Sequence, residues 1–192
     1  MLSATLLVGC TRGSNYYQQG NNLLGARQYS EAISNYNKAL EINPKSLDAY
    51  NNRAIAKQEI GNFLGAIEDY TKAIELNSND PALYFNRGSV QQILERYSYA
   101  ISDFTKAIEL NPEFLSAYYN RALAKDSLKN YRGSLADFTK AIELNPEDRN
   151  AYRNRGVQKE RVGDVKGACF DWSKATFLGD KESAKYFKTV CK

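Results

Sequence analysis

The residues of this chain with chemistry to offer are few, and their spacing is regular. Arg53, Arg87, Arg121 and Arg155 recur every 34 residues, and each is followed sixteen residues later by an aspartate: Asp69, Asp103, Asp137 and Asp171. A guanidinium and a carboxylate at this offset suit a bidentate ion pair that bridges two neighbouring helices. The first segment of the same length lacks both partners and carries Gln19 and Asn35. That correlated change favours structural pairs over a ladder of ligand-binding cations. Cys169 and Cys191 flank Gly179 and Asp180 at about equal distance. In an antiparallel helix pair that symmetry sets the two side chains level, so a disulfide fits sterically, and so do two small buried thiols.

Other chemistry is missing. The chain has no histidine, which removes the commonest general base, the commonest metal ligand and every Ser/His or Cys/His nucleophile pairing. Carboxylates, lysines and tyrosines do not cluster as a catalytic pocket would require, and no ligand set for a metal or an organic cofactor is present. A non-enzymatic role is expected. With 192 residues, 43% apolar and 25% charged, the chain can bury a core, and its periodicity spreads that core along repeated units. Residues 149–192 carry 11 Lys/Arg against 5 Asp/Glu, a net +6, whereas the preceding 148 residues carry 15 against 17. No Arg/Lys run accompanies the aromatics, so nucleic acid is not an expected partner.

These residues are positioned by a phrase that returns without slippage, as in YSYAISDFTKAIELNP from Tyr97 and YRGSLADFTKAIELNP from Tyr131. Origins at Gly13, Leu47, Pro81, Leu115 and Arg149 align five units, 13–46, 47–80, 81–114, 115–148 and 149–182. Position 4 is always aromatic (Tyr16, Tyr50, Tyr84, Tyr118, Tyr152), position 8 always small (Gly20, Ala54, Gly88, Ala122, Gly156), and position 24 always aromatic (Tyr36, Tyr70, Phe104, Phe138, Trp172). Small residues let two helices approach, and aromatics fill the gaps between hairpins. Pro44, Pro112 and Pro146 stand just past each second helix, Asp80–Pro81 reads as an N-cap with a first-turn proline, and Gly marks the turns at 60–62 and 162–164.

Aromatic-4, small-8, aromatic-17, Ala-20, aromatic-24, Ala-27 and Pro-32 in a 34-residue unit resemble the tetratricopeptide repeat. The resemblance covers residues 13–182 and implies an all-α fold: a right-handed α-solenoid of five helical hairpins, with residues 183–192 as a capping helix. The chain departs from the family pattern at position 7, where Arg stands in place of Leu. It departs also at Ser78, Asp180, Ser134 and Val165.

The resemblance further implies a concave groove lined by the first helices. Position 6 there reads Gln18, Asn52, Asn86, Asn120 and Asn154, and position 5 reads Tyr17, Asn51, Phe85, Tyr119 and Arg153. Side-chain amides donate and accept, so such a ladder could grip an extended peptide by its backbone, with the aromatics accepting apolar anchors. Asn at position 6 is also common in the family without any known ligand, and both readings stand. The cations with which the family's chaperone-tail clamps hold a terminal carboxylate are absent from the early units. The expected function is a protein-interaction scaffold that takes a peptide or partner helix. The alternatives are a structural, self-associating array and a cytoplasmic adaptor.

The opening MLSATLLVGC resembles the end of a bacterial lipoprotein signal, which implies lipidation at Cys10, with residues 1–12 as remnant leader and anchor. The apolar run from Leu2 to Val8 is shorter than a leader requires, and no charged segment precedes it. The expected location is the bacterial envelope, as a lipid-anchored protein, with the cytoplasm as the alternative. The expected oligomeric state is a monomer or a weak self-association.

Overall fold

A computed structural model describes residues 4–191, with side chains from residue 13 onward. The lipidation expected at Cys10 lies outside the described side chains. Among the described residues the structure is eleven α-helices and no strands. They fall into two compact units, residues 1–94 and 95–192.

The first unit holds α1 (Ala4–Gly25), α2 (Tyr29–Ile42), α3 (Leu47–Glu59), α4 (Phe63–Leu76) and α5 (Pro81–Ile93). The second holds α6 (Tyr97–Leu110), α7 (Leu115–Ser127), α8 (Tyr131–Leu144), α9 (Arg149–Arg161), α10 (Val165–Phe177) and α11 (Lys181–Val190). Within each unit every helix packs chiefly on its neighbours in sequence. The helices α3, α5, α7 and α9 begin at the repeat origin, and all five second helices begin at position 17. Two helices start upstream of the expected position: α1 at Ala4, ahead of the origin at Gly13, and α11 at Lys181, ahead of the expected 183.

Local chemistry sets these ends. Ser46, Asn62, Asp80, Asn130, Asp148, Asp164 and Asp180 cap helix N-termini through their side chains, and Asp80 works together with Pro81 in the first turn. Asn43, Asn111 and Asn145 end α2, α6 and α8 immediately before the three prolines. The turn inside each hairpin needs a left-handed residue at position 15. Gly61 and Gly163 supply it without strain, while Arg27, Glu95 and Lys129 adopt φ of 57 to 60°.

The core is a column of alanines and rings. Ala32, Ala66, Ala100 and Ala168 at position 20 are fully buried, as is Ser134, and the position-24 aromatics are at most 1% exposed. A Cβ added at Gly20 would lie 2.6 Å from the Tyr36 ring, and one at Gly156 would lie 2.5 Å from Trp172 Nε1. The position-24 ring therefore occupies the space left by position 8 inside its own hairpin, as well as filling gaps between hairpins. In the first unit Tyr36 also packs with Ala56, and in the second Trp172 stacks on Tyr186 of α11, with centroids 5.3 Å apart.

Candidate functional site

The arginines and aspartates meet across their hairpins. Arg53 donates from Nε and Nη2 to both oxygens of Asp69 (2.8 and 2.6 Å), Arg121 does the same to Asp137 (2.9 and 2.7 Å), and Arg155 to Asp171 (2.8 Å for both). Each carboxylate also receives a lysine that the sequence reading missed: Lys57 on Asp69, Lys125 on Asp137 and Lys159 on Asp171, at 2.7 to 2.9 Å. The missed signal was the recurrence of Lys at position 11 in the units that carry the pair. Gln91 replaces it in the third. Arg87 and Asp103 belong to different compact units, and their pairing stays an expectation.

The remaining guanidinium nitrogen reaches the preceding repeat. Arg87 Nη1 donates to Thr71 Oγ1 (3.0 Å), Arg121 to Thr105 (3.0 Å) and Arg155 to Thr139 (3.5 Å), while Arg53 donates to Asn37 (2.6 Å). Each guanidinium also lies 5.4 to 5.9 Å from the centroid of the position-4 tyrosine. The hydrogen bond to Asp171 heads the influences that raise the Arg155 pKa. In repeats two, four and five the arginine is thus engaged on both sides by structural partners, the carboxylate on the second helix of its own hairpin and a side chain of the preceding repeat.

The amide file is split in its engagements. In the first unit Asn52 donates to Tyr17 Oη (3.3 Å) and Asn21 Oδ1 (3.0 Å), and Asn51 donates to Asn52 Oδ1 (3.2 Å). In the second unit Asn154 donates to Tyr119 Oη at 2.8 Å. A position-5 tyrosine therefore holds the position-6 asparagine of the next repeat, a spacing of 35 residues that was present in the sequence and went unread. Burial, with Asp148 nearby, raises the pKa of Tyr119, so it remains a neutral partner to that amide. Gln18 is exposed and donates to Asn22 on its own helix (3.4 Å). Asn86 and Asn120 are half-buried and make no side-chain hydrogen bond among the described residues. The Oδ1 of Asn51 is buried and has no hydrogen-bond partner among the described residues. Phe85 is half-buried on the first unit's face, and Tyr119 packs edge-on against Phe138 in the second (5.4 Å).

Arg153, read from the sequence as a groove residue, is engaged with the cap. Its Nη1 lies 3.0 Å from Asp180 Oδ1, and its carbonyl accepts from Trp172 Nε1 at 3.3 Å. Asp180 caps α11 by accepting from the Ser183 amide and hydroxyl. Its burial alone would raise the carboxyl pKa, but the Ser183 hydrogen bonds and Arg153 outweigh that and lower it. Cys169 of α10 and Cys191 are joined as a disulfide, with Cα atoms 5.7 Å apart. No helix among the described residues is long and apolar enough to cross a membrane.

The comparisons with known proteins agree with this architecture. Sperm-associated antigen 1 of Rattus norvegicus is 41% identical over 46 residues, which is 24% of this chain and 5% of that protein. The chain thus matches only a small part of that relative's length. The crystal structure of MamA protein superposes with a TM-score of 0.83 at 25% identity, over 91% of this chain and 95% of MamA. The crystal structure of YrrB, described as a TPR protein with an unusual peptide-binding site, superposes with a TM-score of 0.81 at 22% identity, over 91% of each chain. The sequence pattern described as tetratricopeptide repeat matches residues 81–114 and 116–148, and that described as TPR repeat matches 13–61 and 59–92. With the hairpin geometry of both units, these matches establish that the chain belongs to the tetratricopeptide repeat family, whose members generally serve as scaffolds for protein interaction.

Proposed function

We propose that the chain binds an extended peptide or a partner helix on its first-helix faces. The observation that carries this reading is the division of the amide file. Asn52 and Asn154 are fastened to tyrosines, whereas Asn86 and Asn120 keep donor and acceptor available on half-buried surfaces. Half-buried amides next to Phe85 or Tyr119 can pair with a peptide backbone while the ring takes an apolar side chain. The peptide-binding site named for YrrB supports the reading by analogy of fold alone.

The test is selection of ligands from a random-peptide display library by the full chain, followed by titration of the winners against Asn86→Ala and Asn120→Ala. Loss of a backbone-directed amide should weaken binding about tenfold, equivalent to one hydrogen bond of roughly 1 kcal/mol or somewhat more. Unchanged affinity in both variants would move the ligand elsewhere. Lipid attachment at Cys10, and with it the bacterial envelope, belongs to the same proposal and is supported by the Leu7–Cys10 motif. Intact mass of the protein taken from native membranes checks it.

A further inference from the structure

The outward face of α10 breaks a pattern that the other four second helices keep. Position 26 is lysine in every unit, and position 29 is glutamate in four: Glu41, Glu75, Glu109 and Glu143. Lys72, Lys106 and Lys140 accordingly pair with the glutamate three residues on, at 2.7 to 3.2 Å. In the fifth unit position 29 is Phe177, and position 22, elsewhere Ser34, Glu68, Ser102 and Ala136, is Phe170. Phe170 is 68% exposed and Phe177 82% exposed. Lys174 has no glutamate at that place, and its ammonium lies 5.4 Å from the Phe177 ring centroid. Lys166, Phe170, Lys174 and Phe177 fall at helical spacing on one stripe of α10.

The charge around this stripe is mainly positive, with Asp164, the N-cap of α10, as an exposed acid two residues from Lys166. The adjoining α11 adds Lys181, Lys185 and Lys188, together with a partly exposed Phe187. Of the other nearby acids, Asp171 is held by Arg155 and Lys159, Asp180 by Arg153 and Ser183, and Glu182 by Lys185, so the net positive charge that α11 contributes comes from Lys181 and Lys188. A second copy of the same surface would bring like charges together, which disfavours self-association here. The two rings project from one helix and are 68% and 82% exposed, so they are free to enter an apolar layer. A planar anionic surface fits both properties.

We infer that the Lys166–Phe170–Lys174–Phe177 stripe of α10, flanked by the lysines of α11, is a docking surface for an anionic lipid bilayer. The phenyl rings enter the interface between headgroups, and the ammonium groups sit among the lipid phosphates. This surface acts independently of Cys10 and of any peptide on the first-helix faces.

The test uses the full chain with Cys10→Ser in every sample, so that lipidation cannot contribute. Co-sedimentation is measured with vesicles of phosphatidylcholine alone and of phosphatidylcholine mixed with phosphatidylglycerol. The chain should bind the mixed vesicles, and added salt should weaken that binding. The variant Phe170→Ser/Phe177→Glu installs residues that other units already carry at these positions, so its folding is checked directly by circular dichroism and Trp172 fluorescence. It should bind the mixed vesicles at least about tenfold more weakly, having lost both inserted rings. Equal binding to neutral vesicles, no binding to anionic ones, or undiminished binding by the folded variant would each overturn the inference. So would binding of a Glu-rich helical peptide, or Phe-dependent dimerisation, without vesicle binding.

Discussion

In the hairpin α1–α2, the polar side chains at the positions of the ion pair turn back on their own helices. Gln19 donates to Asn15 (3.2 Å) and Asn35 to the Glu31 carbonyl (3.0 Å), while the cross-helix bond is the neutral one from Tyr36 Oη to Asn21 (2.9 Å). In the hairpin α7–α8, the same two positions hold Arg121 and Asp137, with Lys125 as a second cation on the carboxylate. Both hairpins bury an aromatic at position 24 and a small residue at position 20. Packing therefore suffices to form the hairpin. The charged cluster adds directional bonds that tie helix to helix and repeat to repeat, and it makes the hairpin depend on each of its members.

That difference predicts unequal tolerance of matched substitutions, and this is the largest effect expected. Asp137→Ala leaves Arg121 and Lys125 in a partly buried site without their counter-charge, and should cost about 3 to 5 kcal/mol in chemical denaturation. Asn35→Ala in the first hairpin should stay within about 0.5 kcal/mol. Similar losses at the two sites would erase the distinction. A small loss for Arg121→Leu combined with lost partner binding would return the arginines to a ligand role.

The next effect should be shared by hairpins of both kinds. Gly20→Ala and Gly156→Ala each push a Cβ into the ring at position 24, at 2.6 and 2.5 Å. Each should destabilise by about 1 to 3 kcal/mol. Units two and four already carry Ala54 and Ala122 at this position, both fully buried. A neutral result at Gly20 with a large one at Gly156 would mean that Tyr36 can shift where Trp172 cannot.

What the sequence disclosed follows the same division. Period, the starts of α2 to α10 and the small and aromatic core positions were legible because sterics repeats with the chain, and five aligned repeats expose it. The bidentate pairs were legible through the joint absence of Arg and Asp from these positions in the first repeat, residues 13–46. Lys57, Lys125 and Lys159 were not read, because a lysine on a helix surface is ordinarily solvated, and only the geometry shows three of them on buried carboxylates. The tyrosine-to-asparagine bonds cross from one repeat to the next, and comparing like positions between repeats does not reveal a bond between unlike ones. Arg153 was assigned to the groove by its position alone, and its engagement depends on Asp180, which departs from the family's proline.

Asp180 sharpens the comparison, since its carboxylate combines one cation with cap hydrogen bonds. Its folded pKa is lowered, so its contribution is fully present above the unfolded carboxylate value near about 4 and is lost as pH falls through the folded one. Protonation should loosen α11 from α10, and Trp172, the only tryptophan of the chain, reports it through its stack with Tyr186. A fluorescence change in that acid window should precede global unfolding and should grow when Cys169–Cys191 is reduced, since the disulfide is the covalent tie on the same helix. In Asp180→Asn this step should be absent. Its persistence there would assign the transition to another carboxylate.

The smallest effect should not distinguish the hairpins at all, because it belongs to the backbone. Position 15 is left-handed whether the residue is Gly61, Gly163, Arg27 or Lys129. A side chain there costs about 1 to 2 kcal/mol of steric strain, while glycine loses more conformational freedom on folding, about 0.5 to 1 kcal/mol. Arg27→Gly and Lys129→Gly should therefore each stabilise by a net of roughly 0.5 kcal/mol, read as a small rise in the denaturation midpoint with unchanged slope. A gain at Arg27 without one at Lys129 would show that the charged cluster of the fourth hairpin already constrains its turn. In that case side-chain bonds and backbone strain would be coupled rather than separable.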